Sequence, residues 1–194
     1  MLWQKQPNAE AGELFPLTVE LLSMEYWEVF FESETDLIAA KLLKLEGCLR
    51  LFRMVALWDQ FHTWVYLNPK HSHLQRNEYW LSLLNQFATG ITSIDGTETS
   101  WQNRSLIYRY YFHMIEYGMA TLGALSIYRD YKKDKNKTIN NFIQAMKLGN
   151  TASLKDIYKT AGVNFDFSKE KVEDIGQFLT EEWEQLSAKI EDHK

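Results

Sequence analysis

The sequence predicts an all-α protein, a single multi-helix domain, on three observations. Only 3 prolines and 9 glycines punctuate the 194 residues, so long stretches run without a breaker. Apolar side chains recur at three- and four-residue spacing, the period of a helix face. The two-residue alternation of a half-buried strand is scarce. The length suffices for one core, and no linker, repeat or low-complexity stretch divides it, so residues 1–194 are read as one domain.

The first helix is expected from about Phe15 into Glu32, with Val19, Leu22, Tyr26, Val29 and Phe30 as its apolar stripe. Pro16 suits the start of that helix, where its missing N–H costs nothing, and would kink a helix that began earlier. A long helix should follow over about Asp36–Tyr66, roughly 45 Å at 1.5 Å per residue. Leu42, Leu45, Leu49, Phe52 and Ala56 mark its inner face. Met54, Leu57 and Trp58 lie elsewhere around it, so it is expected to be buried on more than one side. Asn68-Pro69 ends it, because the residue before a proline is pushed out of helical conformation.

A third helix is read over about His73–Phe87. Ala88–Ser100, with its glycines, threonines and serines, is a loop with a turn at Asp95-Gly96. The aromatic stretch Trp101–Tyr131 is read as helical. Three shorter helices close the chain at about Thr138–Lys147, Ser153–Ala161 and Ser168–Ala188. Ser153 and Ser168 are the expected N-caps, and Gly149 and Gly162 the C-cap glycines.

Apolar residues make up 45% and charged residues 24%, which excludes wholesale disorder. The net charge is −5, and no basic stripe could track phosphates, so nucleic acid is not an expected partner. Lys132, Lys133, Lys135 and Lys137 are read as a solvated loop between helices. The lone Cys48 sits in an apolar helical stretch and is expected to be a buried reduced thiol. Met1–Gln6 do not read as a signal peptide, and no uninterrupted apolar run reaches about eighteen residues, so no membrane is expected and the cytoplasm is the default location.

Three segments resemble the oligoendopeptidase F family, relatives of thimet oligopeptidase among the gluzincin-type metallopeptidases. In that family a His-Glu-x-x-His helix supplies two zinc ligands and the general base, and a later helix supplies a glutamate ligand. That glutamate lies in a stretch like Glu-Ala-Cys-Glu-Ile-His-Ser-Met-Ser-Met-Glu, followed by an aromatic helix ending Glu-Leu-Phe-Phe. Here Glu10-Ala11-Gly12-Glu13 is similar to its start, Glu20 follows Glu13 by seven residues as in the family, and Glu28-Val29-Phe30-Phe31 matches its end. The resemblance gives Glu13 the metal-ligand position and Glu20 a supporting one.

Asp59-Gln60-Phe61-His62-Thr63-Trp64-Val65-Tyr66-Leu67-Asn68-Pro69 is similar to the family's Asp-Glu-Phe-Gln-His-Phe-Val-Tyr-Glu-Asn-Pro and is read as packing. The family's Trp-Gln-Arg-Gln-Leu-His-Ile-Phe, followed by Pro-Phe-Tyr-Tyr-Ile-Asp-Tyr, aligns with Trp101–Tyr108 and Tyr111–Tyr117 without a gap. The family histidine falls on Leu106, its paired tyrosines on His113 and Met114, and only its last tyrosine is kept, as Tyr117.

The resemblance implies that residues 1–194 correspond to the C-terminal helical part of a gluzincin-type oligopeptidase catalytic domain, without the His-Glu-x-x-His helix, and so zinc peptidase ancestry with impaired chemistry. A hydrolytic zinc needs three protein ligands and an open position for water, and a glutamate to take the water's proton. Glu13 is one donor, and no His-x-x-x-His pair occurs among His62, His71, His73, His113 and His193. His71-Ser72-His73 is read as a solvated pair in a loop. Loss of one oxyanion donor costs about 10²–10³ in rate, and Leu106 and Met114 are no such donors.

No catalytic residue is therefore expected intact. Tyr108, His113 and Tyr117 are the candidate substrate-contacting residues, and Tyr108, Tyr110, Tyr111 and Tyr117 are read first as core residues with hydroxyls reaching the surface. No cofactor is expected for the chain alone, and Zn2+ at Glu13 only if another polypeptide completes the site. Three functions remain open: a degenerate or truncated peptidase-like protein, half of a split peptidase, or a helical module that binds peptides or itself through the former cleft face.

Overall fold

A computed structural model describes residues 9–87, 96–103 and 109–191. Among these every regular element is a helix: α1 (Ala9–Ser23), a 3-10 helix (Met24–Phe30), α2 (Glu34–Leu67), α3 (His73–Phe87), a second 3-10 helix (Thr97–Asn103), α4 (Met114–Lys133), α5 (Lys135–Leu148), α6 (Leu154–Thr160) and α7 (Lys169–Glu191). None of these helices is long and apolar enough to cross a membrane. The backbone forms two compact units, one of Met1–Cys48 with Met119–Lys194 and one of Leu49–Gly118.

In the first unit, α1 begins at Ala9, earlier than its pattern suggested, and carries Pro16 in its interior. Its buried row is Ala11, Leu14, Thr18 and Leu21, continued by Met24. The expected stripe is not the buried one: Val19, Tyr26, Val29 and Phe30 are exposed, Phe30 at 78%. Two physical causes account for the difference. Thr18 hides its hydroxyl by donating to the Leu14 carbonyl at 2.7 Å, so a polar residue sits on the core face. Beyond Ser23 the chain tightens to 3-10 geometry, which breaks the 3.6-residue period.

The N-terminal part of α2 buries Ile38, Leu45 and Cys48 in this unit. Burial raises the Cys48 thiol above its ordinary pKa, by desolvation first, with Lys44 pulling the other way. The C-terminal part of α4 is buried all round from Ala120 to Tyr128. A Cβ on Gly123 would stand 2.6 Å from Tyr158 Cε1 and 2.9 Å from Leu14 Cδ1, so glycine there lets α4 meet α1 and α6. The Tyr158 hydroxyl donates to the Met119 carbonyl at 3.2 Å, and Phe165 and Phe167 pack edge-on against the same ring.

The lysine run is not a loop. Lys132 and Lys133 finish α4, Lys135 and Lys137 begin α5, and only Asp134 separates the helices. Asp134 caps α5 by accepting from the Lys137 N–H at 3.1 Å. Lys132 pairs with the buried Glu182 at 3.1 Å and with Glu25 at 3.5 Å. Tyr128, under the Lys132 ammonium, has its pKa pushed up to about 12, chiefly by burial.

Ser153 and Ser168 cap α6 and α7 as expected, accepting from the N–H groups of Asp156 and Lys171. Gly149 and Gly162 follow helix ends with positive φ of 53° and 94°.

The second unit is an aromatic cluster. Leu57, Trp58, Phe61, Trp80, Leu83, Trp101 and Met114 are its buried residues. Trp58 and Phe61 bring their rings within 4.6 and 5.0 Å of Trp80. Two indole N–H groups find partners at its edge: Trp80 donates to Ser100 Oγ at 2.8 Å and Trp101 to Asn77 Oδ1 at 3.0 Å.

Leu57 and Trp58 are adjacent and both buried, so α2 is enclosed on two sides here, as expected. Leu49 is exposed and Phe52 and Ala56 are half-buried, so the inner face runs instead through Val55, Leu57, Trp58 and Phe61. α3 has the predicted bounds. Of the expected loop Ala88–Ser100, residues 88–95 lie outside the described ones, while 97–100 belong to a 3-10 turn introduced by Gly96 at φ 87°. The helix expected from Trp101 starts only at Met114. Phe112 holds φ at 53°, a left-handed conformation that no α-helix accepts.

Candidate functional site

Glu13 sits half-buried in the interior of α1, between the core residues Ala11 and Leu14. Glu20 lies two helical turns further on, on the same side of α1. It forms an ion pair with Lys44 of α2, which ties the two helices together. Among the described residues no three His, Cys, Asp or Glu side chains converge to hold a metal ion. Among the described residues Glu13 is a single carboxylate donor, short of the three protein ligands that a hydrolytic zinc needs.

Of the second group of candidates, Leu106 and Tyr108 lie outside the described residues. His113 and Tyr117 are brought together in the second unit, with ring centroids 5.2 Å apart. The His113 Nδ1 is 2.8 Å from Glu116 Oε2, one turn into α4, and the ring of Tyr110 lies 5.5 Å away on the other side. This imidazole is anchored at the start of α4 by a carboxylate. Met114 is 6% exposed and packs in the aromatic cluster. Tyr110 and Tyr111 are exposed, at 55% and 77%, which corrects the expectation that they are core residues.

His71 and His73 do not form a chelate. His73 opens α3 in an exposed position, while His71 is half-buried against Trp64 with ring centroids 5.0 Å apart. Arg76 Nε donates to His71 Nε2 at 2.6 Å, and His71 Nδ1 lies 2.5 Å from the Asn68 carbonyl. Both ring nitrogens are engaged, so the expected solvated pair is a packed histidine beside an exposed one.

One residue of interest reads as packing in the sequence. His62 is 5% exposed, and neither ring nitrogen has a hydrogen-bond partner. Trp58 and Phe112 lie beside it, with ring centroids 6.0 Å away. Burial lowers its pKa from the ordinary 6.5, with Asp59 opposing. The sequence signal was a lone imidazole in an aromatic helical segment, between Phe61 and Trp64.

Two crystal structures share this architecture. One, assigned as an oligoendopeptidase F, superposes with a TM-score of 0.83 and 20% identity over 92% of this chain and 32% of its own. The fold is that of part of an oligoendopeptidase F. A second, with the same assignment and from Bacillus anthracis str. Ames, gives a TM-score of 0.71 and 18% identity over 94% of this chain and 29% of its own. The chain thus spans just under a third of each oligoendopeptidase F structure. No family model matches the sequence, and no curated protein does. At these identities the oligoendopeptidase F likeness fixes the fold alone.

Proposed function

We propose that this chain is a degenerate relative of oligoendopeptidase F that does not hydrolyse peptides by its own 194 residues. The observation that carries this is the use made of the positions where the family places oxyanion donors. Met114 is packed into the aromatic cluster with Trp58, Phe61 and Trp80, and its sulfur donates no hydrogen bond. His113 is committed to Glu116. The Met114 side chain serves packing, and His113 pairs through Nδ1 with Glu116 at the start of α4. Tyr117 and the exposed Tyr110 and Tyr111 offer a peptide-contacting wall. Residence in the cytoplasm belongs to the same reading, supported by the free buried thiol of Cys48.

The test is hydrolysis of a quenched fluorescent oligopeptide by the pure chain with zinc added. No turnover above buffer is expected. Zinc-dependent turnover that scales with the chain and disappears in Glu13→Gln overturns the reading.

A second reading, half of a split peptidase, is favoured by one feature. Val19, Tyr26, Val29 and Phe30, just beyond Glu13, expose large apolar surface, Val29 at 73%. A polypeptide bearing His-Glu-x-x-His would cover such a face and complete the ligands. It predicts that turnover arises only in the mixture of the two chains, and that Phe30→Asp prevents their association. A chain that stays monomeric beside such a partner excludes it.

A further inference from the structure

The second unit contains a cavity of about 240 Å³ whose walls are mainly aromatic, from Phe61, Tyr66, Trp101 and Tyr111 with Val65. Two basic side chains interrupt these walls, Arg76 and His62. The Arg76 guanidinium lies 4.8 Å from the centre of the Trp101 ring, and its Nε is used on His71. Its two terminal nitrogens are the bidentate edge of an arginine fork. The described lining holds no carboxylate to meet them. His62 lines the same cavity, with both nitrogens buried and unsatisfied.

A buried imidazole without a partner is costly, and it persists where the site is incomplete. The cavity exceeds the about 150 Å³ that accepts a benzene ring, which leaves room for one further small group.

We propose that this cavity binds a small aromatic carboxylate. The ring lies among Phe61, Tyr66, Trp101 and Tyr111, the carboxylate pairs with the fork of Arg76, and His62 supplies a second N–H to it. Planar fork-to-carboxylate pairing and stacking on aromatic faces are what arginine offers and lysine does not. A cationic ring would meet Arg76 with like charge, and a neutral ring would leave both basic groups unsatisfied. No metal and no peptide cleavage is involved, so this site stands whether or not the chain is inactive as a peptidase.

The experiment is calorimetric titration of the full chain with phenylacetate, with benzylamine and benzyl alcohol as charge controls. Phenylacetate is expected to bind one to one, and the controls at least about tenfold more weakly. His62→Phe and Arg76→Gln should each weaken phenylacetate by about tenfold or more while the melting temperature stays near that of the parent. Arg76→Lys, which keeps the charge and loses the fork, should weaken it as well.

Equal binding of all three ligands, or no saturable binding of phenylacetate, overturns the proposal. So does unchanged affinity in His62→Phe. The ligand series on the unaltered chain decides the matter even if an Arg76 variant fails to fold. A carboxylate at the end of a peptide offers the same chemistry. Tighter binding of N-acetylphenylalanine than of phenylacetate identifies that source, and the reverse identifies a free aromatic acid.

Discussion

At the scale of single residues, the informative side chains are those whose surroundings conflict with their chemistry. His62 is held neutral by burial, with its folded pKa below 6.5. In the unfolded chain the same imidazole takes a proton near that value, while the folded one resists it. Stability held above pH 6.5 is therefore lost progressively as the pH falls from that value towards the folded pKa. Urea unfolding between pH 7.5 and 5 should show this loss, and His62→Leu should flatten it; an unchanged slope in the variant would refute the assignment. Gly123 is the opposite case, a residue defined by the absence of a side chain. Gly123→Ala places a methyl 2.6 Å from Tyr158, and should cost about 1–3 kcal/mol in denaturant unfolding. At Gly176 a Cβ would meet nothing within 4 Å, so alanine should be tolerated there and serves as the control.

At the scale of elements, caps and breakers outperform apolar stripes as signals. α3 was legible because Asn68-Pro69 closes the helix before it and Gly90, with the threonines and serines around it, breaks the helical pattern after Phe87. α6 and α7 were legible from Ser153 and Ser168. Ser153→Ala should lower stability by about 1 kcal/mol, since the Asp156 N–H loses its acceptor; equal stability of the variant would mean that the cap contributes nothing.

The register of α1 was not legible. Thr18 looks polar yet is buried through its bond to Leu14, while Val19, Tyr26, Val29 and Phe30 look like a core stripe and are exposed. The break in α4 was hidden for another reason: no glycine or proline marks it, and the left-handed turn falls on Phe112. Asp134 carried the capping signal inside the lysine run, and the surrounding charges masked it.

For the chain as a whole, an all-α fold shared with part of oligoendopeptidase F was readable because three short motifs keep their order and spacing. The scarcity of glycine and proline, with the helical spacing of apolar residues, pointed only to the helical class. The candidate site was readable through that resemblance and not through chemistry, because Glu13 in isolation is one half-buried carboxylate on a helix. His62 was missed because a histidine in an aromatic segment looks like filler until its nitrogens are seen to lack partners.

Under the proposed function, these residues build no hydrolytic zinc centre of their own. The direct measurement is zinc binding by the pure chain in competition with a chromophoric chelator, beside Glu13→Gln. No site tighter than about 1 μM is expected, and no difference between the two proteins. One equivalent of zinc held more tightly than that, and lost in Glu13→Gln, would contradict it.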